Sequence, residues 1–240
     1  MLNRIVTALE SRRYRLLNQR DKTIACDGGI VSFTFDDFPE SATAGARLLE
    51  SRNWRGTFYM STALAGKDSP VGKIGTVDSA LKLHAAGHEI GNHTHSHLRC
   101  NGAKNAVLRA DLTASSAVLK PVDGNRSFAF PFGAYDASAL NVLSGRFDTL
   151  RTVQNGVNAQ RTDMNILKAN PIYRNTSMAS VEALLDEVRE KNGWLIFYTH
   201  DVCDQPSEFG CTPEQFDQVL ALVAARRLPV KTVSEVFASL

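Results

Sequence analysis

From residue 30 almost to the end of the chain, short apolar runs alternate with stretches whose apolar positions recur at helical spacing. Residues 30–35, Ile-Val-Ser-Phe-Thr-Phe, are rich in β-branched and aromatic side chains and predict a short buried strand. Residues 41–52, with Ala44, Ala46, Leu48 and Leu49, predict a helix, and residues 56–60 a second strand. A loop carrying Gly66, Pro70, Gly72 and Gly75 follows, then a helix over 77–86 that stops at Gly87. Residues 88–92 predict a third strand and 103–119 a long helix closed by Pro121. A strand over 127–130 is broken by Pro131 and Gly133, ahead of a short helix at 137–144 and a strand at 147–152. Residues 155–174 read as irregular, with a strand at 166–169. Val181, Leu184, Leu185 and Val188 set an amphipathic helix over 181–191, and 194–199 is the strongest strand of the second half. Thr212 and Pro213 open the last long helix, and a strand over 230–233 closes the series. Strand and helix in alternation predict an α/β fold with a parallel sheet or barrel, in one domain.

Composition narrows the class without identifying a function. Of 240 residues, 43% are hydrophobic and 22% charged, which suits a globular domain with a sizeable core. A net charge of +2, with no basic stripe interleaved with aromatics, argues against a nucleic-acid partner. No apolar run reaches the length of a membrane span. Residues 1–21 mix Ile5, Val6, Leu9, Leu16 and Leu17 with Arg4, Arg12, Arg13, Arg15 and Arg20, the pattern of a basic amphipathic helix. Such a helix suits a peripheral membrane or partner contact, although packing on its own domain is the commoner outcome. The stretch lacks the uninterrupted apolar core of a secretory signal, so the expected location is cytoplasmic. The four cysteines, Cys26, Cys100, Cys203 and Cys211, form no Cys-x-x-Cys pair. They are expected to be free thiols, with a Cys203–Cys211 bridge reserved for an oxidising compartment.

Three clusters of reactive side chains fall just past the C-terminal ends of expected strands. They are Asp36-Asp37, His93-Thr94-His95-Ser96-His97 and His200-Asp201. In α/β barrels that edge gathers side chains from distant sequence positions. Two adjacent carboxylates repel unless a cation or proton sits between them, so the pair reads either as a capping turn or as a metal ligand beside a general base. His93 and His97 face the same way on a helical turn, whereas an extended segment would align His93, His95 and His97. Three histidines in five residues, from only six in the chain, point to metal binding. Two imidazoles and one carboxylate with open positions suit zinc hydrolysis, and a comparable set serves ferrous oxygenases.

Taken in order, Thr34-Phe35-Asp36-Asp37, Gly91-Asn92-His93-Thr94-His95-Ser96-His97, Phe130-Pro131-Phe132-Gly133 and Tyr198-Thr199-His200-Asp201 resemble the motifs of the polysaccharide deacetylases, carbohydrate esterase family 4. The resemblance runs from about residue 30 to residue 233. It implies a single-domain distorted (β/α) barrel with mostly parallel strands over 30–240, preceded by the basic amphipathic segment at 1–29. It implies that Asp37, His93 and His97 hold one divalent metal ion, zinc first, with cobalt, nickel or iron as alternatives. Asp36 would be the general base, His200 the general acid, and the backbone N–H of Phe132 an oxyanion donor beside the metal. Tyr198 and Pro131 would touch substrate, while His95 falls in the spacer and takes no ligand role. The implied reaction removes the N-acetyl group from an amino sugar in a cell-surface polysaccharide or its intracellular precursor. The partner is thus an N-acylated sugar or oligosaccharide.

Three departures stand against that pattern, one of them the lack of a clear match to the aspartate that often supports the histidine acid. Many members place an arginine two residues before the proline of the third motif, paired with the catalytic aspartate, and here that position is Ala129. The leucine two residues before the acid histidine, which helps form the acyl-methyl pocket, is Tyr198 here. The larger side chain keeps open a deformylase acting on N-formyl amino sugars. An inactive carbohydrate-binding homologue is the third reading, and the intact Asp36, Asp37, His93, His97 and His200 argue against it. The polar stretch 201–212 reads as a solvated loop beside His200.

Overall fold

The structure, a computed structural model, describes residues 19–122 and 126–240. The chain runs β1 (Asp21–Ile24), β2 (Ile30–Phe35), α1 (Ala42–Glu50), β3 (Thr57–Met60), the small hairpin β4 (Asp68–Ser69) and β5 (Gly72–Lys73), α2 (Val77–Ala85), β6 (Glu89–Asn92) and α3 (Asn105–Val118). It continues through β7 (Ser127–Ala129), α4 (Ala137–Leu143), β8 (Thr149–Arg151), β9 (Gln160–Asp163), β10 (Asn170–Pro171), α5 (Met178–Glu190), β11 (Trp194–Thr199), α6 (Pro213–Ala225) and α7 (Val233–Ala238).

Seven strands form one parallel sheet in the order β10-β11-β2-β3-β6-β7-β8. Helices cover it, as parallel strands buried on both faces require. The two edge strands are linked by one short segment: Leu167 bridges Arg151 of β8, and Asn170 and Pro171 pair with Phe197 and Tyr198 of β11. That link draws the sheet into the curled, barrel-like α/β form expected from the sequence. β2 and β11 run side by side over six residues each, every one buried, and supply the spine. Phe35 stacks on Phe58 with centroids 4.4 Å apart, and Phe216 of α6 packs edge-on to Phe33 at 5.5 Å. Each such buried ring stabilises the fold by roughly 1.5–3 kcal/mol.

Three expectations are corrected. The strand at 230–233 is a single bridge from Val230 to Val31, because Thr232 and Glu235 form a capping box and start α7 at Val233. The region 155–174 holds β9 and β10, and the strand placed at 166–169 shrinks to the Leu167 bridge. The loop over 64–76 contains the β4–β5 hairpin. The basic amphipathic segment lies mostly outside the described residues. At its end Asp21 opens β1, which pairs antiparallel with β9. No helix of the described residues is long and apolar enough to cross a membrane. All four cysteines are free thiols.

Candidate metal centre and active site

Because the seven strands are parallel, β2, β6, β7, β8 and β11 all deliver their C-terminal ends to one edge. β2 hands over Asp36 and Asp37, β6 hands over His93 to His97, and β11 hands over His200. Asp37, His93 and His97 converge there: one ligand atom from each lies within 4.8 Å of the others. Asp37 Oδ1 stands 3.4 Å from His93 Nε2 and 3.1 Å from His97 Nε2, with no well-formed hydrogen bond of its own. A buried carboxylate oxygen left in that condition is costly unless something positive completes it.

The segment 93–97 is neither of the two shapes weighed from the sequence. Thr94 and His97 take positive φ of 66° and 56°, so the loop folds back on itself and brings the two Nε2 atoms together without a helix. Neighbours hold it there. Asn92 Oδ1 accepts from the Thr94 N–H at 2.9 Å, and Asp111 accepts from the backbone N–H of His95 and Ser96 at 2.5 and 3.2 Å. His93 Nδ1 donates to the Ala129 carbonyl at 2.8 Å, which fixes the tautomer and leaves Nε2 free to ligate. His95 turns aside and bonds Thr62 Oγ1 at 2.7 Å. Five of the nine non-glycine residues with positive φ among those described, Asp37, Phe38, Thr94, His97 and Phe132, sit around this site. Each costs on the order of 1 kcal/mol, a strain that collects where geometry matters for function.

The electrostatics fit a cation. Burial alone would raise the Asp37 carboxyl, but the imidazoles of His97, His93 and His200 more than offset it and hold it far below the usual carboxylate range. Burial pushes His93 down to about 4, against the pull of Asp36 and Asp37, so its imidazole is neutral near pH 7. A charged carboxylate, a neutral imidazole with its remote nitrogen already bonded, and a second imidazole form a donor set suited to zinc or a similar divalent ion. The residues therefore fit the group.

Asp36 sits beside the ligands, 4% exposed, and its partner is Arg151 at the end of β8. That guanidinium is fully buried, 5.3 Å from the Tyr59 ring and 5.0 Å from the Tyr198 ring. Tyr59 can lie there because Gly91 beside it has no side chain; a Cβ would meet the ring at 2.4 Å. Opposite Asp37, His200 Nδ1 donates to the Phe209 carbonyl at 3.2 Å, across the loop that leaves β11. This loop is more ordered than a solvated stretch. Buried Asp201 accepts from the Ser207 N–H at 2.7 Å and the Ser207 hydroxyl at 2.6 Å, which sets where Phe209 lies.

These groups open into a cavity of about 470 Å³, walled also by Leu64, Val71, Phe130, Phe132, Val153, Tyr173, Tyr198 and Phe209. Phe132, Val153 and Phe209 are three of the four large apolar side chains most exposed among the described residues, so the mouth is unusually apolar. Phe132 occupies the tight turn between Pro131 and Gly133, with φ of 60° and its ring 4.4 Å from that of His97. Tyr198 lines the cavity and packs edge-on against the Tyr173 ring, centroids 5.6 Å apart. Pro131 is buried and sets the turn from outside the cavity lining. Sequence reasoning missed Arg151, Tyr173, Val153 and Phe209. Of these only Arg151 carried a signal: a charged residue inside an apolar strand needs a buried partner.

Known proteins share this fold. The family profile described as polysaccharide deacetylase matches residues 25–145. A family 4 acetyl xylan esterase from Clostridium thermocellum, solved with a cobalt ion, superposes with a TM-score of 0.61 at 24% identity, covering 88% of this chain and 91% of that one. The chitin deacetylase of the fungal pathogen Colletotrichum lindemuthianum gives 0.61 at 16% identity, covering 90% of each chain. A family 4 pseudoenzyme from Bacillus anthracis gives 0.53 at 14% identity, covering 87% of this chain and 65% of that one. No curated protein sequence matches the chain significantly. At these identities the solved structures speak for the fold alone, and the profile covers half of the chain. The chain belongs to the polysaccharide deacetylase family.

Proposed function

We propose that the chain is a metal-dependent hydrolase that removes the N-acetyl group of an amino sugar in a polysaccharide or its precursor. The observation that carries the reading is Asp37 Oδ1, buried between His93 Nε2 and His97 Nε2 without a well-formed hydrogen bond, at the floor of an open cavity. Asp37, His93 and His97 would hold one divalent ion, zinc first and cobalt, nickel or iron as alternatives. Such an ion lowers the pKa of a water toward neutrality and polarises the acyl oxygen.

The chain's own groups do the rest. Asp36, paired with Arg151, takes the proton of the attacking water. The Phe132 N–H supplies a donor for the developing oxyanion. His200, with Nδ1 committed to the Phe209 carbonyl, lines the cavity and donates the proton to the departing amine. An amine is a poor leaving group unless it is protonated, so this donor is what makes amide cleavage feasible. Phe132, Phe209 and Val153 offer apolar surface to the C–H faces of a sugar ring. A formyl substrate is the second reading, because Tyr198, which lines the cavity and packs edge-on against Tyr173, is bulkier than the leucine expected there and would leave less room for an acyl methyl.

The test is metal analysis of the purified protein joined to a panel of N-acetyl and N-formyl amino sugars, free, nucleotide-linked and oligomeric, with acetate and formate both measured. Acetate release that needs the metal supports the proposal. Stoichiometric metal with no release from any substrate contradicts it and favours a carbohydrate-binding homologue.

A further inference from the structure

Asp36 and Asp37 are adjacent, both line the cavity and both carboxylates act on the His93 imidazole, so a divalent ion beside them would attract either one. Something must keep them apart in function. Among the described residues, the cation that pairs with Asp36 is Arg151, while Asp37 faces imidazoles alone. We propose that Arg151 is the positioning residue that divides the work of the two carboxylates: it holds Asp36 off the ion as a free base and leaves Asp37 as the ligand. This inference rests on the metal-dependent reading above.

Its place in the sheet is informative. Arg151 is the register partner of Ala129, so the two side chains leave adjacent strands on the same face. Ala129 contributes a methyl group and a carbonyl that orients His93, and the guanidinium comes from the next strand instead. Arg151 crosses the curled sheet from one edge strand to β2, four places along, between the rings of Tyr59 and Tyr198. Its Nη1 also reaches the Thr152 carbonyl at 3.3 Å. Burial opposes its charge, yet the Asp36 carboxylate raises its pKa further. A guanidinium enclosed on this many sides has one direction in which to present its fork.

The experiment measures zinc affinity, thermal stability of the metal-free protein, and kcat and KM for acetate release, in wild type and five variants. In Arg151→Met, Asp36 is expected to swing onto the ion. Zinc binding then stays equal or tightens by up to about tenfold, while kcat falls by about a hundredfold or more at a KM within about threefold. Adding Asp36→Asn to Arg151→Met returns zinc affinity to the wild-type value and lowers kcat no further than Asp36→Asn alone. That double variant carries no unpaired buried charge, so it stays folded if Arg151→Met does not. Arg151→Lys recovers part of kcat, and Arg151→Ala with Ala129→Arg, which moves the guanidinium across one strand, recovers more. Two results would overturn the proposal: kcat within threefold of wild type in Arg151→Met, or zinc affinity that falls with stability in that variant and stays low when Asp36→Asn is added. Zinc binding is read without substrate, so absence of acetate release in wild type counts against the proposed function and leaves the metal arm to decide this one.

Discussion

A lone carboxylate and a pair of carboxylates sit at opposite ends of the parallel sheet, and they are handled in opposite ways. At the N-terminal end of β6, Glu89 accepts from Thr57 Oγ1 at 2.8 Å, Ser127 Oγ at 2.5 Å, and the N–H and hydroxyl of Ser234 at 3.0 and 2.5 Å. Each donor is neutral and both oxygens are satisfied, so the group ties β3, β7 and α7 together and has nothing left to offer. At the C-terminal edge Asp36 meets one buried guanidinium, and Asp37 keeps an oxygen with no well-formed hydrogen bond. A fully satisfied carboxylate is a fastener; one left open in a buried place is poised for a cation. The sheet thus spends its polar satisfaction at the bottom and withholds it at the top.

Breaking that contrast gives a graded series. His93→Ala removes a ligand and the link to the Ala129 carbonyl; it is expected to lose bound metal and more than about a thousandfold in kcat/KM, read by metal analysis and acetate release. Asp36→Asn keeps the ligand set and is expected to retain metal while losing about a hundred- to ten-thousandfold in kcat. His200→Ala should keep both metal and fold and lose about a hundredfold, with a smaller loss for a substrate whose leaving group needs no proton.

The stability effects are smaller. In the metal-free protein His93 is neutral down to about 4, whereas its unfolded counterpart takes a proton near 6.5. The unfolded chain therefore binds the proton first, and stability falls as pH drops from 6.5 to 4, by ~3 kcal/mol at most from this group. The depressed Asp37 adds nothing within that window, because it is ionised in both states until pH nears 3.8. Denaturant titrations at pH 7 and 5 check this, and a His93→Gln variant is expected to flatten the difference. Glu89→Gln places an amide N–H₂ against donors; it should cost about 1–2 kcal/mol and leave metal affinity and kcat unchanged. Loss of metal in that variant would mean the two ends of the sheet are coupled, and the contrast would fail.

Most of the site was legible because it is local. A strand followed at once by Asp36-Asp37, by His93 to His97 or by His200 can be read from spacing, and parallel topology does the gathering. The helix start at Thr232 was also written in the sequence, as Thr232 with Glu235 three residues on, but the apolar run beside it reads equally well as a strand. What escaped depends on the closed sheet. Arg151 stands 115 residues from Asp36, and only the curl of the sheet shows that it faces Asp36 and not solvent. The loop shape of 93–97 escaped because its positive φ values at Thr94 and His97 are held by Asn92 and Asp111, and by no residue type that favours them locally.

The most direct measurement is calorimetric titration of zinc into the metal-free protein, run in parallel on wild type, Asp37→Ala and Asp36→Asn. One ion per chain is expected for wild type and for Asp36→Asn, with affinity lost by at least about a hundredfold in Asp37→Ala. Undiminished binding by Asp37→Ala, or no binding by wild type, would contradict the account.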